Sequence, residues 1–198
     1  MHAGPLGVVK SFLEAWFLPK YNKKPFYLGQ KLGTFNERMT SIKPTSEITR
    51  LPKAYGEDMK ASQLKNIALH YSLPCLHGLM DQVYYEHWFL FVYGLTLCLK
   101  DRVSEDDRKR AKEAFDKFVS GIEDLYGIEF LRMNAHLFEH LTEYIELYGA
   151  AWAWSAFPFE NFNGFLAKCY HGTQHIPEQI VKMSLRWRYL KNEAHVFA

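Results

Sequence analysis

Residues 104–127 read SEDDRKRAKEAFDKFVSGIEDLYG, and the spacing within them decides the fold class. Ser104 can cap a helix, and Asp107 answers it three residues later, a capping box with Asp in place of Glu. Ala111, Ala114, Phe115, Phe118, Ile122 and Leu125 then recur every three or four residues, with Lys and Glu opposite, which is the stripe of an amphipathic helix. Gly127 closes it.

The neighbouring segments follow the same period. Upstream, the spacing predicts a helix from Gln82 to Lys100 whose apolar run, Trp88 to Leu99, is shorter than the ~20 residues a spanning helix needs. It therefore reads as a buried core helix. From Asp58 onward Leu64, Ile67, Ala68 and Tyr71 share a face, and Pro74 is expected to end or kink that helix. Residues 21–55 carry Pro25, Gly29, Gly33, Pro44 and Pro52, so loops are expected there, with one helical turn at Asn36 to Ser41. Val8 to Leu18 is a short apolar helix stopped by Pro19. Downstream, helices are expected over Asn134 to Tyr148, Phe159 to Tyr170 and Pro177 to Tyr189. Alternation of period two is nearly absent, so the class is mainly α.

Composition agrees with one folded core. The chain has 198 residues, 48% hydrophobic and 16% aromatic, which excludes disorder, collagen-like repeats and disulfide miniproteins. The length suits one domain, or one with an appendage. A net charge of +2 does not by itself argue for nucleic acid or a membrane surface. Three cysteines suit a reducing compartment better than a disulfide framework. The first residues, MHAGPLGVVKSFLEAWF, lack a charged start and a small-residue cleavage site. We expect a soluble intracellular protein with no membrane partner.

Four groups of residues could carry chemistry. His136-Leu-Phe-Glu139-His140 spells H-x-x-E-H, which sets two imidazoles at i and i+4 of a helix and matches the inverzincin pattern of a zinc hydrolase. A third ligand is not evident in the sequence, and two histidines at the edge of a core explain the string equally well. Cys169, His171 and His175, with Cys75 and His77 at a distance, could form a structural zinc site, but paired C-x-x-C spacing is missing. Glu160 lies among aromatics in WSAFPFENFNG, where a carboxylate at a helix start is favoured by the macrodipole or could hold a metal ion. Lys182, Arg186, Arg188 and Lys191, interleaved with Trp187 and Tyr189, could meet a phosphate backbone or be an ordinary solvated face.

The run from Met133 to Ile180, MNAHLFEHLTEYIELYGAAWAWSAFPFENFNGFLAKCYHGTQHIPEQI, resembles the C-terminal region of CACTA (En/Spm-type) transposases. That region has an H-x-x-x-H-L helix, a Gly-Pro turn, an aromatic approach to a Phe-Glu pair, a Lys-bearing helix and a Pro-Glu element. The matching residues are His136, His140 and Leu141, then Gly149, then Phe159 and Glu160, then Lys168, then Pro177 and Glu178. Upstream, Lys60-Ala-Ser62, Leu69-His-Tyr-Ser-Leu-Pro74 and Leu6-Gly-Val resemble animal, transposon-derived relatives, and His2 ends the family's D-x-M-H string. The likeness thus spans nearly the whole chain as many small matches.

The resemblance implies an RNase H-like DDE enzyme acting on nuclear DNA with Mg²⁺ or Mn²⁺ in the intact ancestral form. It makes Glu160 the third catalytic acid and a metal ligand, and Lys182, Arg186 and Arg188 the DNA-contacting cations. Residues 1–20 would be a remnant of the RNase H-like core edge, 21–154 the helical insertion, and 155–198 the terminal helices. Departures accompany the matches: no Asp precedes Met1-His2, the earlier strand-borne Asp is missing, Ala150 replaces the usual Pro, and Asn161 stands where plant relatives carry Arg. The expectation is a truncated transposase fragment without most of its sheet and not catalytic alone. Its Phe159, Phe162 and Phe165 side would be exposed and would favour association with the missing catalytic half or a second copy. Because the family varies at the Glu139 position, the likeness argues against the zinc hydrolase. A non-catalytic helical protein-interaction module is the alternative.

Overall fold

A computed structural model describes residues 3–46, 48, 51–56 and 59–196, without the side chains of residues 3, 5, 157, 158, 160, 161 and 191–196. The α-helices are α1 (Lys10–Phe17), α2 (Leu32–Ser41), α3 (Ala61–Asn66), α4 (Ser72–Leu76), α5 (Gln82–Cys98), α6 (Glu105–Tyr126), α7 (Met133–His136), α8 (Leu141–Tyr148), α9 (Phe157–Leu166) and α10 (Ile176–Val196). No strand occurs among the described residues, so the class is mainly α. The chain divides into two compact units between Trp154 and Ser155.

In the first unit α5 is apolar almost all round and lies in the core, with Trp88, Phe91 and Cys98 fully buried. Helix α6 lays its stripe of Ala111, Ala114, Phe115, Phe118 and Ile122 against it. Two glycines permit the approach: a Cβ on Gly94 would lie 2.8 Å from the Phe115 ring, and one on Gly121 would lie 2.9 Å from the His87 ring. The N-terminus of α6 closes as the sequence predicts. Ser104 Oγ accepts from the Asp107 amide at 3.0 Å, and the Ser104 amide donates to Asp107 Oδ2 at 3.3 Å. Lys100 Nζ donates to Asp107 Oδ1 at 2.6 Å, and these bonds hold the carboxyl down to about 2.

Residues 3–20 do not stand apart from 21–154. Phe12 and Trp16 of α1 meet Trp88 at 5.6 and 5.0 Å between ring centroids, and Phe12 meets Phe118 at 5.4 Å and Tyr126 at 4.8 Å. Burying these rings places α1 in the same compact unit as α5 and α6.

Three helix expectations are refined. The helical turn at Asn36 to Ser41 starts earlier, at Leu32, because Phe35 and Met39 both reach the core. Pro74 does not stop its helix at once. The wide turn Ile67–Tyr71 loosens the hydrogen-bond ladder just before the residue that cannot donate, and the helix runs on to Leu76. The helix expected over Asn134 to Tyr148 is broken into α7 and α8 by a turn at 137–140, which lets Phe138 reach Phe91 and Phe115 at 5.0 and 5.2 Å.

The second unit, 155–198, is a pair of helices. Phe162 and Phe165 of α9 stack on each other at 5.9 Å and approach Trp187 of α10 at 6.3 and 5.5 Å. Gln179 clasps the connecting loop: its Nε2 donates to the carbonyls of His171 and Gln174, and its Oε1 accepts from the His171 amide. Gly172 in that loop takes φ +73°, where glycine avoids the Cβ clash.

Candidate functional site

The break between α7 and α8 places His136 at the end of one helix and His140 at the start of the next, yet their rings remain 5.0 Å apart at 87°. Each imidazole already has an acid partner. His136 Nδ1 lies 2.6 Å from Glu139 Oε2, and His140 Nδ1 lies 3.3 Å from Glu143 Oε2. Glu139 therefore faces its own motif histidine. His136 and Glu139, with Glu123 of α6 and Arg132, rim an open hollow of about 440 Å³. Sequence spacing gave no hint of Glu123 or Arg132, because a tertiary contact brings them there.

The second proposed zinc group is not assembled around a common point. Cys169 Sγ donates to the Phe165 carbonyl at 3.3 Å, His171 is tied through its backbone to Gln179, and His175 Nδ1 is 4.0 Å from Glu178 Oε1. Cys75 is fully buried, and burial pushes its thiol up to about 11, the reverse of a metal-ready thiolate. The exposed His77 packs edge-on against Tyr85 at 5.8 Å. Among the described residues no three His, Cys, Asp or Glu side chains could hold a metal ion together.

Glu160 is the fourth residue of α9, which starts at Phe157, and its side chain is outside the described residues, as is the whole of His2. Phe159 and Phe162 are exposed as expected from their neighbourhood, whereas Phe165 is half-buried because it packs on Trp187. Lys182, Arg186 and Arg188 are exposed on α10, and none is ion-paired among the described residues. The contrast with α6 is direct: there Arg108 pairs with Glu146, Lys109 with Glu105, and Arg110 with Asp106.

A buried histidine was not among the sequence candidates. His87 is only 5% exposed, between Phe12, Phe118 and Tyr126. The Phe118 carbonyl can only accept, so His87 Nε2 carries the proton and donates to it at 2.8 Å. Nδ1 is buried without a partner among the described residues, and burial pushes the imidazole down to about 4. This is a neutral core histidine rather than an acid–base group.

No described helix is long and apolar enough to cross a membrane. Comparison with known protein families, curated proteins and solved structures finds no match to this chain.

Proposed function

We propose that these 198 residues are the helical insertion and acid-bearing terminal helices of a transposon-derived DDE transposase of the CACTA type, and that alone they do not cut DNA. The observation that carries the reading is the run from Met133 to Ile180, where His136, His140, Leu141, Gly149, Phe159, Glu160, Lys168, Pro177 and Glu178 follow the family's order. Two structural facts support it. The fold is helical, as an insertion of this kind requires, and the compact units divide between Trp154 and Ser155, where the resemblance ends the insertion.

DDE chemistry needs several carboxylates to hold two ions about 3.5–4 Å apart, where they activate water and stabilise the leaving 3′-oxygen. The described donor set does not fit such a centre. Glu160 would supply one carboxylate of it, and Lys182, Arg186 and Arg188 would meet DNA phosphates in the intact nuclear enzyme.

The test is a calorimetric titration of the chain with Mn²⁺, wild type against Glu160→Ala. The two proteins are expected to give the same heats. A tight site lost in the variant would overturn the claim that the chain is inactive alone. The ancestry has its own check in the nucleotide sequence upstream of Met1: an in-frame Asp codon two positions before it is expected, and any other residue there breaks the family's string.

A further inference from the structure

Two helix faces of opposite charge stand in solvent on this molecule. We propose that the acidic face of α8 on one copy takes the basic face of α10 from a second copy.

The acidic face is built by the short helix after the histidine turn. Thr142 and Ile145 point into the core, which leaves Glu143, Tyr144, Glu146, Leu147 and Tyr148 outside. Tyr144 stacks on Tyr148 at 6.4 Å and lies 6.2 Å from Trp154, whose Nε1 is fixed by donating to the Gly149 carbonyl at 3.1 Å. The apolar surface is therefore ordered rather than a set of loose side chains. His140 faces Glu143 and Arg108 of α6 faces Glu146, so the two carboxylates keep an acidic rim that is only partly neutralised.

The basic face lies on α10, away from the side that meets α9 through Trp187. Val181, Leu185 and Arg188 recur at i, i+4 and i+7, and Lys182, Arg186 and Tyr189 run beside them at the same spacing. All six are exposed. Between Glu178 and Glu193 there are four cations and no acid. Residues 1–154 hold as many acidic as basic side chains, so the whole net charge of +2 belongs to residues 155–198.

The middle of this face is apolar, with Val181 57% and Leu185 59% exposed. A phosphate backbone would neutralise the cations and leave those two side chains in water. An acidic, aromatic helix would cover both, as an apolar centre with a charged rim requires. Helix α8 has that chemistry: Tyr144, Leu147 and Tyr148 for Val181 and Leu185, and Glu143 and Glu146 for the arginines. Each copy carries both faces, so the α10 of one copy can engage the α8 of another. This inference does not need the transposase ancestry, and it competes with the assignment of Lys182, Arg186 and Arg188 to DNA phosphates.

Sedimentation of the full chain from low to high micromolar concentration tests it. The mass is expected to rise above 23.2 kDa as the concentration increases. Raising the ionic strength from about 0.1 M to about 1 M, which shortens screening from about 10 Å to about 3 Å, should weaken association about tenfold. The variant R186E/R188E should weaken it by at least about tenfold, and adding E143R/E146R on the same chain should recover most of the loss. Far-UV circular dichroism of each variant should match wild type, since every changed side chain is exposed or half-exposed. A monomeric mass at every concentration overturns the proposal, as does association that ignores the charge reversals or is not recovered by the combination. A monomer that binds duplex DNA through the same arginines would assign the face to nucleic acid instead.

Discussion

Phe12 and Phe162 are the same residue in opposite surroundings. Phe12, in the unit ending at Trp154, is 1% exposed and is enclosed by Trp16, Trp88, Phe118 and Tyr126. Phe162, in residues 155–198, is 44% exposed and meets only the rings of Phe165 and Trp187 among those described. The first unit has enough chain to surround its aromatics with one another. The second has 44 residues in two helices, near the size below which a domain seldom stands without metal, disulfide or partner. The lesson is that aromatic content alone does not make a core; several elements must converge on it.

The sharpest way to break this contrast is Trp16→Ala. It removes the buried indole that meets Trp88 at right angles and donates to Tyr126 Oη at 3.4 Å. The loss expected is about 3–5 kcal/mol, seen as an early shift in urea unfolding followed by near-UV circular dichroism. A loss below about 1 kcal/mol would mean the first unit is not held by this cluster.

Acid should act next, with the buried His87 as its largest histidine contribution. Above pH 6.5 His87 is neutral in both folded and unfolded chains. Between 6.5 and about 4 only the unfolded chain takes the proton, so stability falls with pH by roughly 3 kcal/mol in total, and below about 4 this contribution stops changing. Urea unfolding of wild type and His87→Gln across that window measures it. The glutamine keeps a donor for the Phe118 carbonyl and does not titrate, so its curve should be flatter.

Ser104→Ala should cost about 1 kcal/mol, because the Asp107 amide loses its acceptor while the rest of α6 is unchanged. The smallest effect tests the other half of the comparison. Leu185→Ala on the exposed face of α10 should change the first unit's unfolding by less than about 0.5 kcal/mol. A larger shift would show that the first unit depends on that face for its stability.

Much of the helical plan was legible because it is local. The α6 capping box and stripe, the start of α5 at Gln82 and the stop at Pro19 rest on residues within a few positions of one another. The break at 137–140 was not legible. Local spacing favours one helix there, and only Phe91 and Phe115, far along the chain, supply the apolar site that draws Phe138 inward and interrupts it. The histidines differ: Glu139 stands three residues after His136, so their pairing needs only local spacing.

The sequence by itself determined the helical class and the α6 cap, since period and capping are properties of neighbouring residues. Only the tertiary structure decided that α1 belongs to the first core, that His87 is a neutral buried group, and that Arg108 of α6 pairs with the distant Glu146. Burial and a pair such as Arg108–Glu146 depend on residues distant in the chain, and a linear pattern cannot set distances between them.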